Sequence, residues 1–202
     1  MAITVANAMT HARSFIKAPS TYASAEELRM ANTVQGIISS YHRWHWNTAA
    51  GVGVAVALAG QTYTMNAADQ NNVLAIQNGY LSGTGVNYAD LNVWGEYPLP
   101  VTDTTGRPTS VCLLSGTQVR FWPASNASYT MNWRYYKRPT VFTANTETWD
   151  CPEPFAEVIK SGMIWQVLDY ADDMRADKYQ KTFYDLLDLR KQTERYGMGR
   201  IR

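Results

Sequence analysis

The sequence predicts an α+β protein, a helical bundle from an N-terminal helix and two C-terminal helices, with an inserted antiparallel β lobe of sandwich or barrel-like form. Three observations carry this. The apolar period is helical from Ser24 to Trp46, becomes two between Val52 and Tyr136, and is helical again after Pro154. A chain of 202 residues can bury one sizeable domain or two small ones without covalent staples. Aromatic residues make up 12%, with seven Trp and thirteen Tyr, against 17% charged, a balance that favours a folded chain with amphipathic contact surfaces.

Residues 1–22 are mildly helical as far as Lys17, where Ala18-Pro19-Ser20 breaks the pattern. Ser24-Ala-Glu-Glu27 has capping-box spacing, so a helix is expected to start with the serine oxygen accepting from the third amide and Glu27 reaching back. Met30, Val34, Ile37, Tyr41 and Trp44 then give one apolar stripe, and Gly36 weakens the helix without ending it. After Asn47, short strands are predicted at 52–58, 61–65, 72–77 and 88–94, with Gly79 to Gly85 as a glycine-rich loop. Gly95 to Pro108 has the proline, glycine and threonine content of a long exposed loop. Strands at 109–114, 117–122 and 128–136 complete an antiparallel sheet of about six or seven strands. Pro139 lacks the amide a central ladder needs, while Pro154 suits the first turn of a helix. In that helix Phe155, Val158, Ile159, Met163, Ile164, Val167 and Leu168 are apolar almost all round, which demands neighbours on several sides. A last helix from about Met174 to Tyr196, with Tyr179, Phe183, Leu186 and Leu187 on one face, is one such neighbour. The expected organisation is therefore 1–46 helical, 47–138 β insertion, 139–196 helical and 197–202 a tail, the two lobes joined through 133–154 without a flexible linker.

The formal charge of +1 argues against holding nucleic acid by bulk electrostatics. Its distribution is uneven: Trp44 to Gly106 contains no Lys or Arg, whereas Arg190 to Arg202 carries five basic residues against Glu194. Cys112 and Cys151 have neither metal-knuckle nor redox spacing and are expected to be buried thiols. No run reaches the length of a membrane span, and His11, Arg13 and Lys17 interrupt any signal-peptide core, so a cytoplasmic site of synthesis is expected.

Residues that carry chemistry are sparse. His42 and His45 stand three apart among Trp44 and Trp46, but a third metal ligand is missing nearby, and packing or helix capping explains them. Glu147, Asp150, Glu153 and Glu157 cluster before and in the first turn of the penultimate helix, where dipole compensation accounts for the last two. Gly79, Gly83 and Gly85 lack the lysine and helix of a phosphate cradle, and no Gly-x-Ser-x-Gly elbow is present. Neither catalytic residues nor a metal or other cofactor is therefore expected. Trp122, Tyr129, Trp133, Tyr135 and Tyr136 can stack on sugars or bases, or lie in the core, since strand alternation buries about half of them. In the tail Gly197, Met198, Gly199, Arg200, Ile201 and Arg202, two glycines loosen the chain, Ile201 offers an apolar anchor and the arginines bidentate donors; it is either a solvated end or a docking arm.

Taken together, the aromatic strand Trp133-Arg-Tyr-Tyr-Lys-Arg-Pro139, the helix opening Pro152-Glu-Pro-Phe155, the run Ile164 to Asp172, the basic tail and the early helix ending in Tyr41-His-Arg-Trp44-His-Trp46 resemble the head-to-tail adaptors of tailed bacteriophages, of the tail tubular protein A or gatekeeper type. The resemblance implies a structural virion protein of the neck, assembled in the host cytoplasm, with no turnover. It implies a homo-oligomeric ring, typically of twelve subunits, that docks under the portal protein, extends the channel through which double-stranded DNA passes without specific binding, and offers a platform to the tail, nozzle or next neck protein. By the same resemblance the tail from Gly197 reaches the portal. Tyr97, Pro98, Leu99 and Pro100, with Trp122, Trp133 and Tyr135, become candidate contacts to a neighbouring subunit or tail component. The rival reading is a carbohydrate- or ligand-binding β module on a helical support, and behind it a cell-wall hydrolase.

Overall fold

Helix α3 (Ala156–Tyr170) is the apolar run that follows Pro154, and between Val158 and Leu168 every residue except Lys160 is buried. Such a helix must be covered all round. In the computed structural model, which describes residues 3–16, 22–83, 86–95 and 104–198, the cover comes from α1 (Val5–Ile16), α2 (Ser24–Tyr41) and α4 (Ala176–Met198). The fold is α+β, as the sequence predicts. The chain divides into two compact units, Met1–Asn47 with Pro139–Arg202, and Thr48–Arg138.

In the helical unit one core joins Met9 and Ala12 of α1, Met30, Val34 and Ile38 of α2, Ile159, Met163 and Leu168 of α3, and Phe183 and Leu187 of α4. The first and last helices touch directly: the rings of Phe15 and Tyr179 meet edge-on at 5.4 Å. The helices come close together at Gly162, where an added Cβ would lie 2.8 Å from Val34 Cγ1 and 2.9 Å from Phe183 Cε2. The segment leaving the β unit is fastened to the N-terminus. Thr4 bridges Thr148, Val5 N–H donates to the Glu147 carbonyl at 3.0 Å, and Asn32 exchanges two hydrogen bonds with the Phe142 backbone at 3.1 and 2.7 Å.

Two expectations here need correction. The capping box does not form: Ala23 is the N-cap, without a side-chain cap, and Ser24 already lies inside α2. Glu27 instead pairs with Arg13 and accepts from Asn145 Nδ2 at 2.7 Å, because tertiary partners for a buried carboxylate outweigh one local amide. The second concerns Trp44, which is not on the helical stripe. The helix ends at Tyr41, His42 is extended, and the Trp44 indole folds back to donate to the Ile38 carbonyl, one of the acceptors a helix end leaves open.

The β unit contains β1 (Thr48–Val56), β2 (Thr62–Thr64), β3 (Val73–Gly83), β4 (Val86–Asp90), β5 (Asn92–Trp94), β6 (Thr105–Gly106), β7 (Ser110–Leu113), β8 (Gln118–Trp122), β9 (Ala124–Ser125) and β10 (Tyr129–Lys137). They form not one antiparallel sheet but two of four strands, β1-β10-β3-β4 and β2-β8-β7-β5, and the pair β6-β9. The pairs β5-β7 and β6-β9 are parallel. One core takes Val54, Ile76, Leu81, Met131 and Trp133 from the first sheet and Val111, Val119 and Phe121 from the second. The predicted loop from Gly79 is also corrected: β3 runs on to Gly83, and Gly51, Trp133 and Gly79 lie side by side across three strands. The glycine at 51 makes room for the indole, since a Cβ there would lie 2.1 Å from Trp133 Nε1.

A register shift between Gly51 and Val54 takes Val52 out of the ladder, and side chains satisfy its backbone instead. Trp133 Nε1 donates to the Val52 carbonyl at 3.0 Å, and Val52 N–H donates to Asp69 Oδ2 at 2.7 Å. The other oxygen of this buried carboxylate accepts from Tyr135 Oη at 3.1 Å. Burial first, and the Asp69 hydrogen bond second, push the Tyr135 phenol above its usual range.

Candidate functional site

The end of α4 forms one wall of an apolar groove of about 150 Å³, lined by Trp44, Trp46, Pro154, Phe155, Arg190, Thr193 and Glu194. The Trp44 indole fixed on Ile38 sets the geometry: its ring meets Phe155 edge-on at 4.9 Å and stacks with Trp46 at 6.5 Å. Opposite, Glu194 Oε1 accepts from the His45 amide at 2.6 Å, while Oε2 lies 3.2 Å from His42 Nε2, within ion-pair range but not aligned as a hydrogen bond. His42 and His45 thus tie the end of α2 to α4, and among the described residues no group of three or more His, Cys, Asp or Glu can hold a metal. Trp46 Nε1 and Arg190 Nε are buried without a hydrogen-bond partner among the described residues.

At the other end of α4 a tight turn follows α3. Asp172 has φ of 51°, the left-handed conformation that closes a helix, and the Asp173 amide donates back to the Leu168 carbonyl at 3.0 Å. Asp173 caps α4 by accepting from the Arg175 amide at 2.9 Å and grips the Arg175 guanidinium at 2.7 Å; these hydrogen bonds lower its carboxyl to about 2. The turn holds out Met174, which is 98% exposed, among Asp169, Asp172, Asp173 and Asp177.

On the second sheet β5 pairs with β7, β7 with β8, and the pattern of burial along β8 turns Arg120 and Trp122 outward, as Asn92 and Trp94 are on β5. Both indoles are exposed, at 48% for Trp94 and 38% for Trp122. Of the predicted contact residues, Trp122 therefore lies on the surface. Trp133 and Tyr135 are buried in the β core, and Tyr129 with them, because they occupy the inward positions of β10. Tyr97, Pro98, Leu99 and Pro100 lie outside the described residues, as do Gly199, Arg200, Ile201 and Arg202. Gly197 and Met198 are helical, which moves the end of α4 two residues beyond the predicted Tyr196.

Trp94 escaped the sequence reading because a lone Trp at the end of a short strand has no periodicity to orient it. The outer face of the first sheet holds a cleft of about 440 Å³ bordered by Asn78, Tyr80, Asp90, Asn132 and Arg134. It too was missed, since its residues come from four strands. Of the acidic residues noted before and in α3, Glu147 accepts from Thr143 Oγ1 at 2.7 Å and Glu157 pairs with Lys160 at 2.7 Å, both neighbours in sequence, while Asp150 accepts from the distant Gln35 Nε2 at 2.8 Å. Neither cysteine is in a disulfide; burial, reinforced by Asp150, pushes the Cys151 thiol up to about 12.

Exposed indoles on a sheet and an apolar groove are surfaces of the kind with which proteins contact other macromolecules. The family model for the SU10 adaptor protein matches residues 4–202, and the chain belongs to that family of phage head-to-tail adaptors. The family is a structural one and not a known enzyme family, and membership implies a component of the virion neck with portal and tail partners. A search among curated proteins finds no match. No helix among the described residues is long and apolar enough to cross a membrane.

Proposed function

We propose that this chain is the subunit of a homo-oligomeric ring that docks under the portal, continues the DNA channel and offers the platform on which the tail or nozzle assembles. Family membership over 4–202 is the observation that carries this reading. The charge pattern supports it: phosphate affinity grows with each basic contact, and a stretch from Trp44 to Gly106 without Lys or Arg lets DNA pass without holding it. Trp94 and Trp122 supply exposed aromatic area for a neighbouring subunit or tail protein. The basic tail, with Arg200 and Arg202, is the arm offered to the portal.

The test is co-sedimentation with portal rings, with particle mass read by light scattering. The full-length protein is expected to bind portal as a closed ring, and a chain ending at Met198 to keep its helical circular dichroism but lose attachment. Attachment of the shortened chain at wild-type level would remove the tail from the reading; no portal binding by either chain would reject the reading itself.

The rival glycan-binding reading draws on the 440 Å³ cleft, where amide, phenol, carboxylate and guanidinium groups of the kind that bond sugar hydroxyls surround one hollow. Its neighbouring Trp133 ring is packed in the core and gives a sugar no stacking face. Glycan binding by the isolated protein would favour the rival.

A further inference from the structure

We propose that the groove at the end of α4 receives the Asp172–Arg175 turn of a second copy of this chain, with Met174 as the inserted side chain. The inference rests on the ring reading above and adds the residues that join one subunit to the next.

Three observations on the two ends of α4 fit each other. Met174 is 98% exposed on a turn fixed by the left-handed Asp172 and the Asp173–Arg175 clamp, so an apolar side chain is held out on a rigid support. The groove has about 150 Å³, a volume that elsewhere takes a benzene-sized group, and its walls of Trp44, Trp46 and Phe155 suit a thioether, which packs favourably against aromatic rings. The charges match as well. Asp169, Asp172, Asp173 and Asp177 surround Met174, with Arg175 already paired to Asp173, whereas the groove lining carries Arg190, and Glu194 beside it already faces His42 and the His45 amide.

Helix geometry decides between an internal and an intermolecular contact. At 1.5 Å per residue, Ala176 and Thr193 lie about 26 Å apart along one helix, so a chain cannot place its own Met174 in its own groove. Knob and hole are different surfaces, so each copy offers one and receives the other. Such head-to-tail contacts close into rings when the rotation allows.

Two experiments on the full-length protein test this. Sedimentation across a concentration series compares wild type with Met174→Ser, which removes the inserted group from an exposed position, and Thr193→Trp, which fills the groove. Each is expected to weaken association by about tenfold or more, with unchanged helical circular dichroism. In the second, Met174→Cys and Thr193→Cys proteins are treated with a short bis-maleimide, separately and mixed; the buried Cys112 and the half-buried Cys151, whose thiol keeps its proton, are expected to stay out of the reaction. Cross-linked pairs are expected in the mixture and in neither variant alone. Rings that form without this cross-link, and whose association ignores both substitutions, overturn the contact and leave the ring standing. Wild-type protein that stays monomeric at every concentration and beside portal overturns both.

Discussion

Gly162 and Gly36 both lie inside helices, and the structure assigns opposite signs to replacing them with alanine. In an open helix interior the change gains about 0.5–1 kcal/mol, because glycine loses more backbone entropy on folding. Gly36 meets that condition, since a Cβ there has nothing within 4 Å apart from its own helix. At Gly162 the new Cβ would stand 2.8 Å from Val34 Cγ1 and 2.9 and 3.0 Å from Phe183 Cε2 and Cδ2. Both neighbours are fully buried, and Phe183 is hemmed in by Trp165 and Tyr184, with ring centroids at 5.7 and 5.4 Å. Overpacking of this kind costs about 1–3 kcal/mol, so after subtracting the helix gain Gly162→Ala should be destabilised by about 1–2 kcal/mol. Urea unfolding followed by circular dichroism at the helical wavelength reads the difference. With a slope of about 1.5 kcal/mol/M, the midpoint should fall by about 1 M for Gly162→Ala and rise by about 0.5 M for Gly36→Ala. Shifts of the same sign in both variants would refute the close approach of α2 and α4 at Gly162.

Gly51→Ala should destabilise the β unit by on the order of 3 kcal/mol, since its Cβ would overlap the Trp133 indole; unchanged near-ultraviolet dichroism and urea midpoint would contradict this. Acid should weaken the helical unit in a defined window. Glu147, through Thr143, and Asp173, through Arg175, have folded-state carboxyls below their ordinary values, so their stabilisation is complete above the unfolded values near 4 and disappears as pH falls through the folded ones, for Asp173 between about 4 and about 2. Asp173→Asn should flatten that part of a stability-against-pH curve, and an identical curve would count against the clamp. Neither thiol should react with a disulfide reagent at pH 8 before unfolding, because Cys112 is 2% exposed and Cys151 stays protonated; rapid labelling of either would show that the burial is wrong.

The helical elements were legible where the apolar period was long. The run after Pro154 gave α3 and its need for cover, and the stripe at Tyr179, Phe183 and Leu187 gave the helix beside it. What the sequence could not show was where polar side chains find distant partners. Glu27 looked like half of a capping box only because Arg13 and Asn145 are remote along the chain or hidden from a local reading. Gly79 and Gly83 looked like loop because glycine in a strand signals either a turn or a close approach, and at Gly83 the backbone that approaches, Ser128 and Tyr129, is more than forty residues further along the chain. Strand alternation placed half of the β10 aromatics inside but did not say which half, and Trp133 and Tyr135 are of that half. The groove was invisible for the same reason: Trp44 and Trp46 come from one end of the chain, and Phe155 and Glu194 from the other.

The pairing of Thr48 with Tyr136 has a consequence for how the chain is made. Residues 48–138 are continuous and can fold once they have emerged from the ribosome, while α1 and α2 wait for partners that are synthesised last. When that sheet zips up, it brings the two ends of an excursion of nearly ninety residues together. For a flexible loop of that length, closure costs roughly 4 kcal/mol. The insertion therefore acts as a built-in clamp for maturation, and a lesion in β1 or β10 should delay docking of the late helices onto the early ones.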